Sequence, residues 1–120
     1  MIACLIPARA GSKRIKNKNT KSLYGKPLIE YSIDLAKKSK IFNEIFISTD
    51  SSRVIEIAKK KKIQAPFIRP KNISNDYAND LDVLDHFIKF LKKKKIKVKY
   101  LCYLYPTVPL LKKDILVKCF

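Results

Sequence analysis

Six cations, Arg9, Lys13, Arg14, Lys16, Lys18 and Lys21, crowd one short polar stretch that follows the first apolar run of the chain. Within it Gly11 lets a backbone approach a ligand closely, and Ser12 offers a hydroxyl. A polyphosphate needs this combination, because cations neutralise its oxygens while nearby N–H and O–H donors hold them. The segment P-A-R-A-G-S-K-R-I-K-N-K-N-T-K therefore reads as a phosphate loop. It is not a Walker A sequence, since the G-x-x-x-x-G-K-[ST] spacing is missing, and it lacks the G-x-G-x-x-G of a dinucleotide fold.

Other chemistries are poorly served. Cys4, Cys102 and Cys119 show no C-x-x-C spacing and read as reduced core residues. His86, the single histidine, has no Cys or carboxylate cluster beside it, so zinc is not expected. It also falls off the apolar stripe of its helix and reads as a solvated surface residue.

The net charge of +17, from 27 Lys and Arg against 10 Asp and Glu, points to an anionic partner. Its distribution separates two populations. Lys37, Lys38 and Lys40, then Lys59 to Lys62, then Lys92 to Lys95 each close a helix-like segment, where cations complement the helix dipole and stay solvated. Only the loop group reads as a binding site. A nucleic-acid module would interleave aromatics with a basic face, whereas Phe46, Phe87, Phe90, Tyr100 and Tyr103 fall mainly in core-like segments. Neither nucleic acid nor membrane is expected as a partner. No apolar run reaches the roughly 18 residues of a membrane span, so a cytoplasmic protein is expected.

The elements that must hold the loop alternate from the start. Residues 2 to 6 (IACLI) form a buried strand, 7 to 26 a long loop, and Pro27 suits the first turn of a helix whose apolar face runs from Leu28 to Ala36. Residues 44 to 48 form a second strand. Asp50, Ser51 or Ser52 caps the next helix, and Asn79 and Asp80 offer caps to a third, with Val83, Leu84, Phe87, Ile88 and Leu91 on one stripe. Between them lies a short extended piece, Ala65 to Ile68. Residues 100 to 105 (YLCYLY) read as a central parallel strand buried on both faces, and a last helix begins near Lys112. This is an α/β domain with a mostly parallel sheet, in which loops at the carboxyl ends of the strands line the crevice and the lysine clusters lie away from it.

The segment IPARAGSKRIKNKNTKSLYGKPLIEYSI resembles the N-terminal signature of the acylneuraminate cytidylyltransferases. Ser48 to Asp50 (STD), Pro66 to Pro70 (PFIRP) and Tyr105 to Leu110 (YPTVPL) resemble further landmarks of that family in the same order. The segments NDYANDLDVLDHF and CYLYPTVPLL are most similar to its pseudaminic acid branch. Sialic and legionaminic acid enzymes more often carry Gln-Pro-Thr-Ser-Pro where Tyr105 to Pro109 stands here.

The resemblance implies a three-layer, Rossmann-like nucleotide-diphospho-sugar transferase fold, truncated at its C-terminus. It implies a reaction of CTP with a nonulosonic acid that gives the CMP-sugar and pyrophosphate, assisted by Mg²⁺. Carried over by position, Arg9, Ser12 and Lys13 would contact the triphosphate, and Lys18 and Asn19 form the next pair in the motif. Arg9, Lys13 and Lys18 are the residues expected to carry the chemistry. Ala8, Ala10, Gly11 and Arg14 would complete the nucleotide loop, Arg69 would approach the base, and Asp76 would border cytosine and ribose. Tyr105, Pro106 and Thr107 would face the sugar.

Family chains are considerably longer, and the carboxylates that hold their metal and the segment that makes them homodimers lie beyond the matched part. The 120 residues are thus expected to be the N-terminal part of one nucleotidyltransferase domain, with no metal ligands of its own. An inactive truncated homologue, a Kdo or hexose-1-phosphate nucleotidyltransferase and a basic nucleic-acid-binding module remain as alternatives. The hexose enzymes normally open with adjacent glycines, and the Kdo enzymes with a shorter loop.

Overall fold

In the computed structural model, residues 1–11, 18–75, 77–106 and 112–119 are described. The first strand, β1 (Ile2–Pro7), runs parallel to its neighbours on both sides. After the basic loop, a two-stranded hairpin of β2 (Ser22–Leu23) and β3 (Lys26–Pro27) turns through Tyr24 and Gly25, both with positive φ, which Gly25 accepts without strain. Then follow α1 (Leu28–Ser39), β4 (Glu44–Ser48), α2 (Ser52–Lys60), α3 (Asp80–Lys93), β5 (Tyr100–Tyr103) and α4 (Lys113–Lys118). The main sheet has the order β4-β1-β5, all parallel, with Cys4 beside Ile45 and Cys102.

Alternation along β1 divides the core into two layers. Cys4, Ile6 and Ala8 face Ile29, Ile33 and Ala36 of α1 and Val54, Ile57 and Ala58 of α2. Ala3 and Leu5 face the other way, against Phe46 and against Phe87 and Leu91 of α3. Helices therefore cover both faces of a parallel sheet, and the fold is three-layered as expected. The second layer is aromatic: the Phe46 and Phe87 rings lie 5.1 Å apart and the Phe67 and Phe90 rings 5.2 Å.

The helix signals act nearly as read. Ser51 caps α2 by accepting the Val54 N–H, and Asn79 caps α3 in a reciprocal box with Asp82. Pro27 stands one residue earlier than a first-turn proline, as the cap of α1. The lysine clusters do close their helices, and Lys40, Lys62 and Lys95 each take the left-handed conformation that more often falls to Gly or Asn. Residues 64 to 68 touch the sheet edge at two parallel bridges, Phe46 to Gln64 and Thr49 to Ile68.

Three expectations are corrected. Residues 100 to 105 give a shorter strand than expected, β5 (Tyr100–Tyr103), whose sole partner among the described residues is β1, and Tyr100 is half exposed. Among the described residues β1 is the fully covered strand, because only it has a neighbour on each side and helices on each face. His86 is only partly solvated, since its ring stands edge-on to Phe67 at 4.6 Å and its Nδ1 is buried with no hydrogen-bond partner among the described residues. Burial lowers its pKa. Lys61, finally, does not stay solvated with its cluster but reaches back to Asp34 of α1 at 2.9 Å and Glu30 at 3.6 Å. No helix among the described residues is long and apolar enough to cross a membrane.

Candidate active site

β4 and β5 flank β1 on opposite sides, so the loops leaving the carboxyl ends of β1 and β5 diverge. A crevice opens where they part, as expected for an open parallel sheet at a point where strand order reverses. It is an open cavity of about 200 Å³. Arg9 and Gly11 line it from the loop after β1, Lys18 and Asn19 from the 3₁₀ turn Lys18–Thr20, Arg69 from the segment between α2 and α3, and Tyr103, Tyr105 and Pro106 from the end of β5 and the residues after it. None of the lysines that close the helices is among its walls.

The loop after β1 is pinned from beneath. The Ala8 N–H donates to Ser48 O at 2.9 Å, and Thr49 Oγ1 donates to Ala8 O. The Ala10 N–H donates to Asp50 Oδ1 at 2.6 Å, and Asn19 Nδ2 donates to Arg9 O at 2.9 Å. The S-T-D segment at the end of β4 thus fixes the course of residues 8 to 10. Ala8 and Ala10 therefore hold the course of the loop: the Ala8 side chain is buried in the core and both backbone N–H groups have acceptors within the protein.

Gly11 tells a different story from the one its type suggests. A Cβ there would meet only Arg9 Nη1, at an ordinary 3.9 Å, so none of the described residues demands glycine. The Asn19 Oδ1 is buried and lacks a partner among the described residues. A ligand hydroxyl or amine at that end would satisfy it.

Arg69 is 4% exposed, and its guanidinium is held by neutral oxygens. Nε donates to Ser48 Oγ at 3.1 Å, Nη2 to Ser48 O at 2.8 Å and Nη1 to Ile73 O at 3.5 Å. Burial lowers its pKa; Tyr103 and Asp50 act in the opposite sense, and Arg9 reinforces the lowering. Arg9 and Arg69 are therefore close enough to repel, which places two cations over the same cleft.

Within electrostatic reach of Arg69, Asp80 at the start of α3 accepts the Tyr103 hydroxyl at 3.0 Å and the Tyr105 hydroxyl in a short hydrogen bond. The two rings meet edge to face at 5.5 Å. Burial, then the bond to Asp80, raises the Tyr103 pKa, and the bond to Asp80 raises that of Tyr105. Both phenols stay protonated.

The structure therefore brings Arg9, Gly11, Lys18, Asn19, Arg69, Tyr105 and Pro106 to one cleft. Ser12, Lys13, Arg14, Asp76 and Thr107 lie outside the described residues. Asp80 and Tyr103 were read only as a helix cap and a core residue. The overlooked signal is surplus: Asn79 and Asp80 are neighbouring cap-type residues, of which Asn79 caps the helix and Asp80 lines the cleft.

A family model described as Cytidylyltransferase matches residues 3–120. The chain belongs to the cytidylyltransferase family. A pseudaminic acid cytidylyltransferase of Campylobacter jejuni subsp. jejuni serotype O:2 is 47% identical over 98% of this chain and 50% of its own length. A CMP-N,N'-diacetyllegionaminic acid synthase of Legionella pneumophila subsp. pneumophila is 36% identical over 94% of the chain and 49% of its own. A CMP:2-keto-3-deoxy-manno-octonic acid synthetase solved in complex with CTP superposes with a TM-score of 0.74 at 23% identity, over 98% of this chain and 44% of that one. The chain spans about half the length of the curated cytidylyltransferases it matches.

Proposed function

We propose that this chain is the nucleotide-binding part of an enzyme that joins CMP from CTP to a nonulosonic acid and releases pyrophosphate, with pseudaminic acid as the preferred substrate. One observation carries the reading: cations from two separate stretches of the chain, Arg9 and Lys18 from the basic loop and Arg69 from the segment between α2 and α3, line one cleft at the carboxyl edge of the sheet. The similarity to relatives named for pseudaminic and legionaminic acid supports the choice of sugar class.

In this reaction the anomeric oxygen of the acid attacks the α-phosphorus of CTP, a new P–O bond forms in line, and the bond to pyrophosphate breaks. Charge grows on the leaving oxygens. Arg9 and Lys18, with Lys13 from the same loop, are assigned to neutralise that charge, and prepositioned cations do so without reorganisation at the moment of reaction. Ser12, Gly11 and Arg14 are assigned to the phosphates, Arg69 and Asp76 to the base and ribose, and Tyr105, Pro106 and Thr107 to the sugar.

The Mg²⁺ that the resemblance implies does not fit the described residues. No three His, Cys, Asp or Glu side chains among them converge, and Asp50 and Asp80 already accept hydrogen bonds from Ala10, Tyr103 and Tyr105. We assign its ligands, and a homodimer contact, to the length the relatives have beyond this match.

Calorimetric titration of the chain with CTP at moderate salt tests the reading. Binding is expected, with Arg9→Ala and Lys18→Ala each weakening it about tenfold, the equivalent of about 1.4 kcal/mol. Affinity indifferent to both substitutions would overturn it. Pyrophosphate release from CTP and pseudaminic acid, measured on this chain, tests turnover.

A further inference from the structure

The Asp80, Tyr103 and Tyr105 cluster is more specific than a polar wall. An ionised carboxylate only accepts, and a phenol has one proton to give. Both phenolic protons in this cluster are directed to the two oxygens of one carboxylate, Oδ1 from Tyr103 and Oδ2 from Tyr105. Each phenol is then left with lone pairs alone for anything in the cleft. Asp80 sits on the first residue of α3, held there by the Asn79 capping box, while the tyrosines come from the end of β5 and the residues that follow it. The arrangement therefore ties a helix start to a strand end across the mouth of the cavity.

We propose that Asp80 is a positioning residue that sets the hydrogen-bond polarity of this wall, so that it accepts from neutral N–H or O–H groups of a ligand and turns away carboxylates and phosphates. The cleft is thereby sorted from end to end. Arg9 and Lys18 receive anionic oxygens, and the tyrosine wall receives donors. A molecule with an anionic tail and a donor-rich head can lie in only one direction. Resting on the cytidylyltransferase reading above, the donor is either an amide N–H or hydroxyl of the sugar acid, or the exocyclic amine of cytosine.

The substitution Asp80→Asn inverts the wall at nearly constant volume. The amide accepts from one phenol through its oxygen and donates to the other through Nδ2, which frees that phenol's proton to face the ligand. Two titrations read the result and separate the sources. In the base arm, CTP is compared with UTP, whose uracil carries an acceptor where cytosine carries its amine. In the sugar arm, pseudaminic acid is titrated into the CTP complex.

Asp80→Asn is expected to lower the CTP to UTP affinity ratio, or the affinity for the acid, by about tenfold, with Asp80→Glu recovering part of the loss. The arm that responds names the source. A parallel alkaline titration of phenolate absorbance should show two tyrosines shifting to lower pKa in Asp80→Asn, a signature that lost packing alone would not restrict to two residues. Tyr105→Phe, at an exposed position, provides a variant that keeps the fold and should lose binding in the same arm. Unchanged affinities in both arms, or a loss of CTP and UTP in equal measure, would overturn the proposal while leaving the phosphate site intact. Failure of the unsubstituted chain to bind either nucleotide would overturn the reading beneath it as well.

Discussion

The cations of this chain live in two different electrostatic settings. Behind the sheet, between α1 and α2, Lys26 and Lys61 close on Asp34 at 2.5 and 2.9 Å, and Lys61 also reaches Glu30. At the cleft the carboxylates have other partners. Asp50 holds the Ala10 N–H and Asp80 holds two phenols, while the guanidinium of Arg69 is bonded to neutral oxygens. Positive charge is paired with carboxylates in the first region, whereas in the second Arg69 is bonded to neutral oxygens. A guanidinium bonded to neutral oxygens keeps its charge for an anion, and that separates a binding cation from a structural one better than exposure does.

Arg69 should show the contrast most strongly. It is buried, it spans from β4 to the segment after it, and its truncation removes donors from Ser48 and Ile73 together. Arg69→Ala is expected to lower unfolding free energy by about 2–4 kcal/mol and to abolish measurable CTP binding. Arg69→Lys should recover little, since an ammonium cannot reach the Ser48 hydroxyl and carbonyl with the geometry of a fork. Urea melts combined with CTP titration check both. A destabilised variant that still binds CTP at full affinity would make Arg69 a strut and return it to the structural group.

The same contrast shows what the sequence could and could not disclose. The layers, the helix caps and the location of the basic loop followed from period, cap chemistry and charge spacing, all of which are local. The pairing of β5 with β1 was not legible, because the apolar continuity of YLCYLY names no neighbour. The partner of Lys61 was hidden for a related reason. Helix-terminal lysines look alike until tertiary packing brings α1 beside α2. The cleft role of Asp80 and Tyr103 needed two elements 20 or so residues apart to meet, which no periodicity reports.

Asp50 gives an intermediate effect. If its function is to fix the loop through Ala10, Asp50→Ala should cost about 1–2 kcal/mol of stability and weaken CTP binding about tenfold, although the carboxylate never touches the nucleotide. Asp50→Asn retains an acceptor for the Ala10 N–H and should restore most of the affinity. A helix-cap role would give the opposite pattern, with stability lost and nucleotide affinity unchanged, and Ser51→Ala, which removes the cap itself, is the reference for that outcome.

The smallest effect is expected behind the sheet, and its pH dependence identifies it. Partial burial alone would raise the Asp34 pKa, but hydrogen bonds and charge from Lys26 and Lys61 outweigh it and hold the carboxyl below its usual value. A carboxyl with a depressed folded pKa binds its proton more readily in the unfolded chain, so it adds stability above its unfolded value, near 3.9, and that contribution fades as pH falls through the lower folded value. Asp34→Asn should therefore cost about 0.5–1 kcal/mol at neutral pH, less in high salt, and nothing at the acid end of the profile. CTP affinity should stay as it was. Should Asp34→Asn instead weaken CTP binding, the two charge regions would be coupled through α1, and the division between paired and available cations would have to be redrawn.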